Sequence, residues 1–344
     1  MPWMFSKVAA AEMTGLEDAA LLAVVAVGSA FGASALVQAN WPRRSPAAAI
    51  LLWQALGLAS GLASVGTLLG LAMPASSIGV VRSTLHAGTL FRTGGLFRVA
   101  GAFWARGTVP TIVVIMRLGC LAAGLVLFAS LCWVLLAAGL AVLQARRRQR
   151  VLLTLLAHGD PKVPGALVVD SPTAAAYCLP GLRSHIVVSA GTLRLLGHGE
   201  LAAVLAHERA HLRERHDLVL LPFTALRRAF PRSATCTDAH HAVALLVEML
   251  ADDRALRTRP ARELVSALVR FGTAGACPAP AGALAAAGAA GAGTAGALAG
   301  GAGEVAARVS RLLQPVRPLP GAAVAAICLA AALLVAAPIT LLVI

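Results

Sequence analysis

Four stretches of this chain run apolar and uncharged, and one long stretch between them does not. The apolar ones are Ala19–Ala39, Ala47–Met73, residues 118–143 and Ala322–Ile344. A helix rises about 1.5 Å per residue, so about 20 apolar residues cross a bilayer core of about 30 Å. Each stretch is therefore predicted to be a membrane-spanning helix. The third begins near Leu118, because Arg117 just before it would cost about 2.5–3.5 kcal/mol at mid-membrane. Glu12, Glu17 and Asp18 make the N-terminal flank of the first acidic. Signal peptides have a basic flank, so this segment is expected to remain as a span.

Residues 145–271 carry a different pattern. "ALVVD" at 166–170, "AAAYCL" at 174–179 and "HIVVS" at 185–189 are short β-type runs. Apolar positions at helical spacing follow at about 200–216 and 238–258, the second opened by a capping signal at Thr237-Asp238. That order predicts a small sheet packed on a helical core. The predicted organisation is a membrane domain over 1–144, with spans at 19–39, 47–73 and 118–143. A soluble domain over 145–271 follows, then an Ala/Gly-rich linker with a short basic helix over 272–321, and a last span over 322–344. The loop at 74–110 mixes Arg92, Arg98 and Arg106 with Phe91, Phe97, Phe103 and Trp104, which suits a segment lying on the membrane surface.

Composition strengthens the membrane reading. Only 13% of the chain is charged and 58% is hydrophobic, whereas soluble domains carry about 25% charged residues. The net charge of +14 could serve nucleic acid or an anionic membrane. The arginines crowd beside apolar segments and no nucleic-acid motif accompanies them, so the bilayer is the expected partner and direct nucleic-acid binding is not. One set of flanks carries Arg43, Arg44, Arg146, Arg147, Arg148, Arg150, Arg308, Arg311 and Arg317. The other carries Lys7, Arg82, Arg92, Arg98 and Arg106. The heavier side is cytoplasmic by the positive-inside rule, which puts residues 145–321 in the cytosol. The six cysteines form no CxxC pair, which excludes a sulfur zinc site and a disulfide framework. No charge lies within the span cores, so an ion pathway has no support.

The chemistry concentrates in "ELAAVLAHERAHLRERHD", residues 200–217. His207 and His211 stand one helical turn apart on one face, where two imidazoles can grip one metal ion. Glu208, one residue round, can reach a water at that metal as a general base. Leu201, Leu205 and Leu212 form the stripe that half-buries such a helix. A catalytic zinc takes three protein ligands. Asp217 reaches only if the chain turns sharply after His211. With the helix expected to continue through Glu214, Asp217 lies about 15 Å along the axis and His216 falls on the wrong face. Glu248 is the better third ligand. It stands among Leu245, Leu246, Val247, Met249 and Leu250, where a carboxylate needs a metal or a partner. Asp252, one turn on, can accept a proton from the far nitrogen of a ligand histidine. Asp253 reads as a solvated edge, and His241 either lines the cleft or packs elsewhere.

HERAH followed by the Glu-x-x-x-Asp of "EMLADDRA" resembles the gluzincin membrane endopeptidases, among them the HtpX-like heat-shock proteases and the CAAX prenyl proteases. "AAAYCLPG", "HIVVSAG" and "ELAAVLAHERAHLRERHD", in that order and spacing, are more similar to the BlaR/MecR-type antibiotic-sensor peptidases. The likeness covers residues of about 165–260. It implies an α-helical integral membrane protein with an α+β gluzincin-type zinc peptidase domain, in a bacterial inner membrane. It implies one Zn²⁺ per chain on His207, His211 and Glu248, with Glu208 as general base and Asp252 behind the ligands. The strand at Ala176, Tyr177 and Cys178 would bind extended substrate by strand addition; Tyr177 either stands near the oxyanion or, the more common place for such a residue, packs in the core. The substrate would be a protein: a transcriptional repressor, as in the sensor group, or damaged membrane proteins, as in the heat-shock group. A non-enzymatic scaffold with a relic zinc site is the alternative class. Two departures stand out. Ala175 and Ala176 occupy the place of an asparagine in the heat-shock proteases. The penicillin-binding domain that follows the last span of the sensor proteins is not expected after Ile344.

Overall fold

Each long apolar stretch is helical in the computed structural model, which describes residues 2–73, 111–161, 163–181, 184–274, 302–314 and 316–343. Helix α1 is Pro2–Gln38, α2 is Pro46–Ala72, α3 is Thr111–Leu156, and the last helix is Gly321–Val343. Among the described residues, four helices are long and apolar enough to cross a bilayer. In hydrocarbon every backbone N–H and C=O must be satisfied within the segment, which leaves the helix as the form for such a stretch. Val24, Phe31, Val126 and Trp133 are exposed on these helices. The loop at 74–110 and most of the Ala/Gly-rich segment, residues 275–301, lie outside the described residues.

The chain divides into two compact units. The first comprises Met1–Leu36, Leu51–Trp133 and Ala325–Ile344. Its helices approach through small residues, as membrane helices do. A Cβ placed on Gly70 would stand 3.1 Å from the Ala19 Cβ, and one on Gly66 would stand 3.0 Å from Leu22 and 3.1 Å from Leu342.

Helix α3 does not stop at the arginine run near residue 145. It continues for 46 residues in all, about 69 Å at 1.5 Å per residue and more than twice the hydrocarbon thickness. The reason is local: 140–156 holds no proline and no glycine, and Ala, Leu, Gln and Arg are strong helix formers.

The second unit comprises Val37–Ile50 and Val134–Val324. Its sheet has strands β1 (Ala157–Gly159), β2 (Ala166–Val169), β3 (Ala176–Leu179) and β4 (His185–Ser189), in the order β1-β2-β4-β3. β2 and β4 are parallel; the other pairs are antiparallel. Helices α4 (Ala190–Leu195), α5 (His198–Glu214), α6 (His216–Ala229), α7 (Ala234–Ala255), α8 (Ala261–Thr273), α9 (Ala302–Leu313) and α10, the last helix, follow. The mostly helical chain with one small sheet agrees with the expected fold class. Strand alternation divides the sheet residues between two cores. Ala176, Ile186 and Val188 pack with Leu201, Val204 and Leu205 of α5 and with Leu264, Leu268 and Phe271 of α8. Tyr177, Leu179 and Val187 pack on the other face with Leu153 of α3.

Two local devices aim the later elements. The Ser189 Oγ caps α4, accepting from Thr192 N at 3.1 Å and from Ala175 N at 2.9 Å, so it also ties down the start of β3. Gly191 is required there, because a Cβ would meet Pro172 O at 2.3 Å. The second device is the end of α5. The helix was expected to run on through Glu214, but it ends there: Arg215 adopts φ 52°, ψ 44°, a left-handed C-cap. Helix α6 then starts in a new direction. The cap of α7 is Ser233, whose side chain accepts from Cys236 N, four residues ahead of the Thr237 signal.

Gly191→Ala is expected to destabilise this unit by about 1–3 kcal/mol, seen as a lowered thermal midpoint of the purified protein. Arg215→Gly is expected to raise it, by relieving about 1 kcal/mol of left-handed strain. A fall with Arg215→Gly would mean that the arginine side chain outweighs its backbone cost.

Candidate metal centre

Helix periodicity puts the His207 and His211 side chains on the same face of α5, and α7 crosses that face. The two Nε2 atoms are 3.0 Å apart. Glu248 reaches in from α7, with Oε2 3.3 Å from His207 Nε2 and Oε1 3.5 Å from His211 Nε2. One ligand atom from each residue lies within 4.8 Å of the other two, and this is the one such His/Cys/Asp/Glu group among the described residues. Both histidines are fully buried, while the Glu248 side chain keeps 16% exposure.

Each imidazole is held from behind. Asp252 Oδ1 lies 2.9 Å from His207 Nδ1. Asp252 is in turn gripped by Arg308 of α9, whose Nε donates to Oδ2 at 2.8 Å and whose Nη2 donates to Oδ1 at 2.6 Å. Arg308 Nη1 also lies 3.0 Å from Glu248 Oε2. Behind His211 the partner is His216, Nδ1 to Nδ1 at 3.0 Å. His216 Nε2 faces Glu214 Oε2 at 3.4 Å, and Glu214 pairs with Arg254. Only one of two Nδ1 atoms facing each other can carry the proton. If Glu214 accepts from His216 Nε2–H, then His216 Nδ1 is the acceptor and His211 Nδ1–H the donor.

The expectation that His216 falls on the wrong face of a continuing helix is corrected here. The left-handed turn at Arg215 swings His216 back against His211. The same turn places Asp217 on α6, where it pairs with Arg146 at 2.9 Å rather than joining the histidines.

Glu208 is buried, and its Oε1 has no hydrogen-bond partner among the described residues. Burial pushes its carboxyl up to about 7. The Cys178 thiol of β3 touches it, and burial first, then this carboxylate, pushes that thiol well above the usual range. Burial would lower His207, but hydrogen bonds to Asp252 and Glu248 outweigh it and push the imidazole up to about 9. Burial first, then the neighbouring rings of His207 and His216, hold His211 well below the usual range. Burial would raise Asp252, but Arg308 and then His207 hold its carboxyl far below the ordinary carboxylate value.

The strand residues divide. Ala176 and Cys178 face α5. Tyr177 faces the other way, and Gln149 Nε2 donates to its hydroxyl at 3.1 Å. The suggested place for Tyr177 beside an oxyanion is therefore corrected: strand alternation turns its ring to the face opposite α5. His241 is exposed, and Asp253 pairs with Arg311 at 2.7 Å rather than standing free at a solvated edge. Arg308, counted by sequence as a flanking topological charge, is a buried member of the site. Its only sequence signal is an arginine on the amphipathic stretch "AGEVAARVSRLL", with nothing to indicate its partner.

The donor set suits a metal. Imidazole nitrogens with a carboxylate oxygen are zinc-type ligands. The Glu248 and Asp252 carboxylates face one guanidinium, that of Arg308.

Comparison with known proteins agrees with this geometry over part of the chain. No solved structure matches. A 58-residue stretch is 41% identical to the protease HtpX homolog of Aeropyrum pernix, covering 17% of this chain and 18% of that protein. The chain thus aligns with about a fifth of the curated relative. Residues 142–250, which hold His207, Glu208, His211 and Glu248 but neither Asp252 nor Arg308, match the model of peptidase family M48.

Proposed function

We propose that this protein is a membrane-integral zinc endopeptidase, with one Zn²⁺ per chain held by His207, His211 and Glu248. The triangle of donor atoms carries this reading. The two Nε2 atoms are 3.0 Å apart, Glu248 Oε2 is 3.3 Å from His207 Nε2 and Glu248 Oε1 3.5 Å from His211 Nε2, and one ligand atom of each residue lies within 4.8 Å of the other two. Ligands about 2.0–2.1 Å from a tetrahedral zinc stand about 3.3–3.4 Å apart, and three protein ligands leave the fourth position to water or substrate. Charge supports the same reading, since a dication there takes the place of the proton that the Asp252 and Glu248 carboxylates favour on His207.

A zinc ion held there polarises the scissile carbonyl and acidifies water. Glu208, against the ligand face and with an unpartnered Oε1, takes the proton of the attacking water and passes it to the leaving amine. Asp252 and His216 fix the orientation of the two ligand rings through their Nδ1 atoms. β3 is an edge strand of the sheet, and the backbone at Ala176, Tyr177 and Cys178 offers an extended peptide a strand to pair with. Arg43, Arg44, Arg147, Arg148 and Arg150 support a cytoplasmic position for the domain, in the inner membrane of a bacterium. Arg146, Arg308 and Arg311 are engaged by carboxylates and add little to that count.

The substrate is a protein. The sensor-peptidase resemblance favours a repressor cut at one site, and the likeness to the HtpX homolog favours membrane proteins cut at many. Mapping the fragments of cleaved substrate separates the two.

Glu208→Gln is expected to keep one zinc per chain and lose about 10²–10⁴-fold in cleavage rate, measured by metal analysis beside a peptide-hydrolysis assay. Full activity in that variant would sink the catalytic role and favour a scaffold with a relic site. Glu248→Ala is expected to lose most of its zinc; full stoichiometry there would remove Glu248 from the ligand set.

A further inference from the structure

Arg308 reaches the site from α9, 56 residues beyond Asp252 in sequence. Its side chain is 1% exposed. A buried ion costs several kcal/mol of solvation unless its partners are well placed. Arg308 has such partners: two bonds to Asp252 at 2.6 and 2.8 Å and a third contact, to Glu248, at 3.0 Å. These two carboxylates are the ones that contact His207, Asp252 at Nδ1 and Glu248 at Nε2. One planar fork therefore spans the ligand carboxylate and the carboxylate that orients a ligand ring. A lysine, a single point of charge, cannot span both.

The same helix carries an internal comparison. Arg311, one turn on, pairs with Asp253 at 2.7 and 2.8 Å, and its Nε donates to Arg43 O at 2.9 Å. That pair docks α9 as Arg308 does, but it touches none of the three ligands.

The geometry points to Arg308 as a positioning residue of the metal site: its fork holds Glu248 turned to the ligand point and Asp252 turned to His207. The inference rests on the metallopeptidase reading. It also runs against simple electrostatics. A guanidinium so close to a dication repels it, so a purely Coulombic role would make its removal tighten metal binding. With a positioning role, removal loosens binding, because two carboxylates are left facing each other without the cation that sets their angles.

The test is the zinc dissociation constant of the full-length purified protein, measured by competition with a chromophoric chelator, for the wild type, R308M, R308K and R311M. R308M and R308K are expected to bind zinc about 10–100-fold more weakly, and R311M to bind it as the wild type does even if its thermal midpoint falls. An unchanged or tighter constant in R308M, or an equal loss in R311M, overturns the inference. Should R308M not fold, R308M/D252N removes the buried pair as a unit, a replacement often neutral for stability. It is expected to bind zinc at least about 10-fold more weakly, and wild-type affinity in it overturns the inference equally. A wild-type protein that takes up no zinc would instead overturn the metallopeptidase reading, before any variant is compared.

Discussion

A carboxylate taken out of water loses solvation worth several kcal/mol, even after the protein relaxes around it. This protein gathers Glu208, Glu248 and Asp252 around two buried imidazoles. The surrounding structure is arranged to make that burial tolerable. Arg308 meets two of the three. His207 lies between the same two, one at each ring nitrogen. Glu208 is left facing the ligand side with one oxygen unpartnered. The donor atoms of His207, His211 and Glu248 suit a metal ion.

The sheet and the helix ends serve the same arrangement. Alternation along β3 turns Ala176 and Cys178 to α5 and sends Tyr177 to Gln149. Ser189 ties the start of β3 to the cap of α4. The left-handed residue at Arg215 is the less obvious part. By ending α5 just past His211, it frees the chain to return His216 to the back of that ring. The backbone strain thus has a local effect: it supplies the second ligand histidine with a neighbour that a continuous helix would have carried away.

Local periodicity and chemistry made much of this legible in the sequence. The i, i+4 histidines, the isolated Glu248 in an apolar run, three of the four strands and the long apolar helices all follow from short-range pattern. The three-residue strand Ala157–Gly159 did not stand out, since "AHG" has no β character. The turn at Arg215 was missed because arginine carries no signal for positive φ, whereas a glycine would have. His216 was misplaced as a direct result. Arg308 was out of reach for a different reason. Its role depends on a contact across 56 residues, and a basic amphipathic stretch beside a membrane span looks the same whether its arginines meet lipid or buried carboxylates.

The late position of Arg308 has a consequence for biosynthesis. A ribosome makes this chain from the N-terminus, so His207, Glu208, His211 and Glu248 all emerge well before the guanidinium that holds Glu248 and Asp252. Until α9 docks, a nascent chain carries the two histidines, Glu208 and Glu248 without the guanidinium that meets Glu248 and Asp252. Completion of the site is thereby tied to a step that comes after most of the chain has been made.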